Sequence, residues 1–142
     1  MKNIKRLRKA LGLTQAEFAK SISVSRTTVT MWETGHHEPD YTLLSQIAEK
    51  YDVPTDFLIG CGLYSNWDEI IENREKILQS IAVGWPSFKG ILSASNDELF
   101  LIRFLGAFCK RIIVDGDDLH LFPTIPLEMD KEFPSESPIN VN

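Results

Sequence analysis

A chain of 142 residues with 43% apolar and 25% charged side chains is long enough for one full domain or two small ones, and that composition excludes disorder throughout. Its net charge of −5 argues at first sight against nucleic acid, but the charge is unevenly placed. Residues 1–60 carry eight Lys/Arg against seven acids, and residues 1–31 hold seven of those bases with the single acid Glu17. Residues 61–142 carry thirteen acids against seven bases. A basic end on an acidic protein is the pattern expected where one face meets phosphates. The longest apolar stretch, residues 99–108, is interrupted by Arg103 and falls far short of the roughly 20 residues of a membrane span. No apolar secretory segment follows the basic start, so a cytoplasmic protein with no membrane partner is expected. Cys61 and Cys109 have no Cys or His at ligand spacing and read as buried thiols rather than a disulfide or metal ligands.

In chain order, Ile4, Leu7, Ala10 and Leu11 recur at helical spacing with Lys5, Arg6, Arg8 and Lys9 between them, which predicts an amphipathic helix closed by Gly12. Thr14-Gln15-Ala16-Glu17 matches a capping box and starts a second helix that buries Phe18, Ala19 and Ile22. Ser23-Val24 leaves room only for a tight turn, and Ser25 is a good N-cap for a third helix running to Thr34 and stopped by Gly35. Asp40 caps a fourth helix with Leu44, Ile47, Ala48 and Tyr51 on its inner side, and residues 53–60 give a short fifth.

Beyond a boundary at residues 60–65, Ser65 or Asn66 opens one longer helix. Trp67, Ile70, Ile71, Ile77, Leu78 and Ile81 share its apolar face, and Gly84-Trp85-Pro86 breaks it. Ser95-Asn96-Asp97-Glu98 is a second capping-box candidate, opening an apolar helix to about residue 110; its face is a candidate dimer surface. Asp115-Gly116-Asp117-Asp118 between apolar, β-branched flanks predicts a β-hairpin rather than a calcium loop, since the downstream Glu and ligand spacing of an EF-hand are missing. The last residues are rich in Pro and acids and are expected to be disordered.

Two helices joined by so tight a turn form a helix-turn-helix, whose second helix enters the major groove. With Arg26 set at 0° and about 100° added per residue, Thr30, Thr34 and Thr27 fall near 40°, 80° and 100°, while Val29 and Trp32 fall near 300° and 240°. One side therefore packs and the other reads. Arg bonds guanine bidentately, and Thr bonds a base edge or touches a thymine methyl. Met31 sits at the margin. Three Thr in the six residues 25–30 is poor helix composition, which points to a purpose beyond stability.

The run Leu11-Gly12-Leu13-Thr14-Gln15, Phe18-Ala19, Val24-Ser25-Arg26-Thr27-Thr28-Val29, Trp32-Glu33-Thr34-Gly35, Pro39, Val53 and Asp56-Phe57-Leu58-Ile59-Gly60 resembles the Xre/phage-repressor (Cro-like) helix-turn-helix family over residues 4–60. The resemblance implies a five-helix lambda-repressor-like DNA-binding bundle over residues 1–61; with the two helices and the hairpin read from the later pattern as a small α+β module over 65–125, a mainly α protein is expected. Residues 126–142 would form a disordered tail. The resemblance further implies a transcriptional regulator, more often a repressor, that binds palindromic double-stranded DNA as a homodimer. Arg26, Thr27 and Thr30 would read bases, and Gln15, Arg8, Thr34 and Ser25 would meet the DNA backbone. Two positions depart from the family: Ser23 stands where Gly is common in the turn, and His36-His37-Glu38 replaces a basic loop, which raises pH-sensitive binding. The alternative is an antitoxin or adaptor that holds a protein partner through the acidic C-terminal module. With no His-Glu-x-x-His, phosphate loop or nucleophile–base set, no enzyme activity, metal or cofactor is expected.

Overall fold

The computed structural model describes residues 3–124 and the backbone of residues 139–140. The chain divides into two compact units, Met1–Tyr64 and Ser65–Asn142.

The first unit holds α1 (Ile4–Ala10), α2 (Gln15–Ser21), α3 (Arg26–Thr34), α4 (Tyr41–Tyr51) and α5 (Thr55–Ile59). Their starts follow the expected chemistry. The Thr14 hydroxyl accepts from the Glu17 amide at 3.1 Å while the Glu17 carboxylate accepts from the Thr14 amide at 2.9 Å, a complete capping box. Ser25 and Asp40 accept from the amides of Thr28 and Leu43 at 3.1 and 2.8 Å. Their ends share one device. A left-handed residue follows each helix, and the next amide bonds back to the carbonyl five residues earlier, satisfying a carbonyl that the helix leaves open. Gly12, Gly35 and Gly60 take that conformation freely; Ser23 (φ 60°) and Asp52 (φ 53°) take it with a side chain.

The core of this unit collects Ile4, Leu7, Phe18, Val29, Trp32, Ile47, Phe57 and Leu58. Ile22, expected inside, is only half-buried. Asn3 is buried and donates its amide to the Phe57 carbonyl at 2.7 Å, tying the start of α1 to α5. Tyr51 stacks on Phe18 and bonds the Ser21 hydroxyl, tying α4 to α2.

In the second unit the single helix expected after Asn66 is two: α6 (Trp67–Glu72) and α7 (Arg74–Gly84). The break is at Asn73, whose backbone leaves the helical region (φ −105°, ψ 15°) and whose side chain donates to the Glu69 carbonyl at 2.8 Å. That local bond competes with helix propagation. A 3-10 stretch, Pro86–Ala94, follows, and then α8 (Glu98–Phe108), capped by Asp97 rather than Ser95, with the carboxylate accepting from the Phe100 amide at 3.0 Å. Helix α8 runs straight into strand β1 (Cys109–Asp115), which pairs antiparallel with β2 (Asp118–Pro123). Gly116 (φ 61°) and Asp117 form the two-residue turn between Asp115 and Asp118, the geometry that a glycine in first place permits.

Helix α8 spends Leu101, Ile102, Leu105 and Phe108 on its own unit's core, so the apolar face proposed for dimerisation shrinks to half-buried Leu99, Phe100 and Phe104. Phe100, Phe104 and Phe108 stack along the helix. Of the two cysteines only Cys109 is buried; Cys61 is exposed, contrary to expectation, because it follows the end of α5 rather than a packed face. Of the segment expected to be disordered, β3 (Ile139–Asn140) pairs with His120 and Leu121 of β2, and the remainder lies outside the described residues. No helix among the described residues is long and apolar enough to cross a membrane.

Candidate nucleic-acid interface

Helices α2 and α3 pack together through the turn Ile22-Ser23-Val24-Ser25, and the sides of α3 separate as the wheel requires. Val29 and Trp32 are buried, at 0% and 3% exposure. Arg26 and Thr27 are exposed and make no side-chain hydrogen bond or ion pair with another described residue. Met31 is 38% exposed. The unit thus presents one long cation and one short hydroxyl, both unengaged, on a helix fixed from behind by two large apolar anchors.

The other predicted residues are engaged. Ser25 uses its hydroxyl oxygen as the helix cap and lies 2.8 Å from the Thr28 hydroxyl. Thr34 donates to the Thr30 carbonyl at 2.9 Å, and His36 places Nδ1 2.8 Å from the same hydroxyl. Thr30 has its hydroxyl 3.1 Å from both Gln15 Oε1 and the Arg26 carbonyl. Gln15 in turn donates from Nε2 to Glu33 Oε1 at 3.2 Å.

Arg8 completes the chain of contacts. Its Nε and Nη2 donate to the two oxygens of Glu33 at 2.7 and 3.0 Å, and its Nη1 donates to the Leu13 carbonyl at 2.9 Å. The side chains of this pair are 12% and 3% exposed, so it is nearly dry. The Glu33 bond, which outweighs burial, raises the Arg8 guanidinium above its ordinary value. Burial pushes the Glu33 carboxyl upward, but the bonds from Arg8 and Gln15 and the charges of Arg8 and Lys5 hold it net below its ordinary value. Helices α1, α2 and α3 are therefore joined by one bidentate ion pair and an amide bridge.

Glu33 was given no role by sequence reasoning, although a signal was present. On the wheel it falls near 340°, between the packed and the reading sides. An unpaired carboxylate there would repel phosphate, so it calls for an internal cation.

Residues 4–58 match the family model described as helix-turn-helix, and this segment is a helix-turn-helix domain of the Xre-like class. Among curated proteins, the chain is 38% identical over 80 residues to an uncharacterized HTH-type transcriptional regulator, YqaE, of Bacillus subtilis (strain 168), covering 56% of this chain and 60% of that one. It is 37% identical over 59 residues to the antitoxin PezA of Streptococcus pneumoniae serotype 4, covering 42% of this chain and 37% of that protein. It is 30% identical over 59 residues to the HTH-type transcriptional regulator ImmR of Bacillus subtilis (strain 168), covering 42% and 46%. The chain thus spans between about a third and three-fifths of the length of these relatives. No solved structure matches it.

Proposed function

We propose that the chain is a sequence-specific DNA-binding transcriptional regulator, a repressor that binds a palindromic operator as a homodimer. The observation that supports this reading best is the unengaged pair Arg26 and Thr27 on a recognition helix anchored by Val29 and Trp32. In this reading Arg26, Thr27 and Thr30 read bases in the major groove, and Gln15, Ser25 and Thr34 lie along the phosphates. Arg8, whose three nitrogens all donate within the domain, serves by holding Glu33 and through it Gln15, rather than mainly by the phosphate contact that the resemblance implies. Pairing of two copies is supported by Tyr41 and Ile59, 81% and 48% exposed, which border a cleft floored by Trp32 and Leu44.

Selection of bound sequences from a random double-stranded pool, followed by footprinting, tests the reading. A palindrome bound with a Kd of roughly 10⁻⁸–10⁻¹¹ M is expected. Sedimentation of Tyr41→Lys and Phe104→Lys variants of the full chain distinguishes the cleft from the α8 face as the pairing surface. Repression is tested by a promoter fusion carrying the selected site.

A second reading, an antitoxin or adaptor that holds a protein partner through the acidic second unit, draws on the name of the PezA relative and on the thirteen acids of residues 61–142. Co-purification of a stoichiometric protein partner favours it; a lone dimer footprinting one palindrome disfavours it.

A further inference from the structure

Thr30 differs from Thr27, its neighbour on the reading side, in where its single hydroxyl proton must go. Two groups lie within bonding distance of its Oγ1, Gln15 Oε1 and the Arg26 carbonyl, each at 3.1 Å. The orientation of the Gln15 amide, which decides whether its near atom accepts or donates, is fixed by chemistry. The other amide atom faces Glu33 Oε1 at 3.2 Å, and that carboxylate, held ionised by Arg8, accepts only. The atom facing Glu33 is therefore the NH₂, and the atom facing Thr30 is the oxygen. Both neighbours of the Thr30 hydroxyl are thus acceptors, and its proton is committed inside the domain whichever of them takes it.

Resting on the reading of α3 as the DNA-recognition helix, we infer that Thr30 meets its base as an obligate acceptor. In the major groove the groups an acceptor can engage are the exocyclic amines, N6 of adenine and N4 of cytosine; guanine O6 and N7 and thymine O4 are themselves acceptors. The base that the Thr30 hydroxyl bonds is therefore adenine or cytosine and not guanine or thymine; a thymine chosen through the Thr30 methyl would instead persist in Thr30→Val. Thr27, whose hydroxyl bonds no other described residue, carries no such restriction. The preference at one base is in this way set from behind the helix, by an ion pair that does not touch that base.

The test is selection from a random DNA pool with the full chain and its Thr30→Val, Thr30→Ser and Arg26→Ala variants, each first checked for an unchanged helical circular dichroism spectrum. Thr30→Val keeps the shape and removes the hydroxyl, so the one position whose preference it alters is the base that Thr30 faces. The expected result at that base pair is a grouping in which A·T and C·G, written in one strand orientation, are favoured about fivefold over T·A and G·C. The preference should be lost in Thr30→Val, kept in Thr30→Ser, and distinct from the position altered by Arg26→Ala. A parent preference at that base pair that groups A·T with G·C, or A·T with T·A, or a Thr30→Val profile identical to the parent's, overturns the inference while leaving the DNA-binding reading intact. A parent that selects no sequence overturns both.

Discussion

Glu33 accepts two hydrogen bonds from Arg8, 25 residues away in sequence, and a third from Gln15, so the carboxylate on the recognition helix is held from both α1 and α2. Breaking such a part-buried, charge-assisted pair from one side costs about 1.5–3 kcal/mol. Arg8→Met should therefore lower the unfolding free energy by that order in urea titrations, whereas the exposed Lys9→Met should change it by less than about 0.5 kcal/mol.

The depressed Glu33 carboxyl gives a pH dependence with a definite sign. A group whose folded value lies below its unfolded one contributes stability above the unfolded value, about 4.3 for Glu, and loses it as pH falls through the folded value. Urea midpoints measured from pH 6 downward should fall more steeply below about pH 4.3 in the parent than in Glu33→Gln. Parallel slopes would assign the acid transition to other carboxylates.

At the turn between α2 and α3, Ser23 holds a left-handed backbone that a side chain disfavours by about 1–2 kcal/mol. Its hydroxyl makes no bond with another described residue, and the residue is exposed. Ser23→Gly should stabilise the domain by about 0.5–1 kcal/mol once the extra freedom of glycine in the unfolded chain is subtracted. Thermal melts at constant pH would show it, and a lower melting temperature would contradict it.

Arg26→Ala should cost about 1–3 kcal/mol in binding and relax the preference at one base position. Binding isotherms against a panel of single-base operator variants separate this from a phosphate contact, which would weaken all sites alike.

The two thiols should differ sharply in reactivity. Burial pushes the Cys109 thiol up to about 12, while burial and the Asp56 carboxylate raise exposed Cys61 to a smaller extent. Titration with a thiol-specific chromophore at pH 8 should label one equivalent, at Cys61, and more slowly than a free cysteine. The second should react only in denaturant. Two fast equivalents would mean that α8 and β1 open readily.

The first unit was legible because its signals are local. Thr14, Ser25 and Asp40 cap helices through their own side chains, glycines close three helices, and Val29 and Trp32 fall on one side of a wheel. The second unit was less so. The apolar spacing of Ile70, Ile77 and Ile81 continues in phase through Asn73, so periodicity carries no trace of the break that the Asn73 side chain makes with Glu69. Ser95 and Asp97 both offer a capping oxygen, and choosing between them depends on how the preceding 3-10 stretch delivers the chain. Among candidate site residues, sequence placed Arg26 and Thr27 on a free surface. The engagement of Arg8, Gln15 and Thr30 hangs on Glu33, and a contact spanning 25 residues has no local signature.

The ion pair behind α3 also bears on how portable this reading head is. Exchanging recognition helices between proteins is a natural route to new specificities, but here the helix carries half of an internal lock. A transplanted segment that lacked an acid at position 33 would strand Arg8 and release Gln15. Conversely, residues 25–34 moved onto a host with no matching arginine would import a naked buried carboxylate. On the proposed reading, re-targeting has two exchangeable letters, at positions 26 and 27, whose side chains bond no other described residue. Position 30 is tied as well to Gln15 on α2.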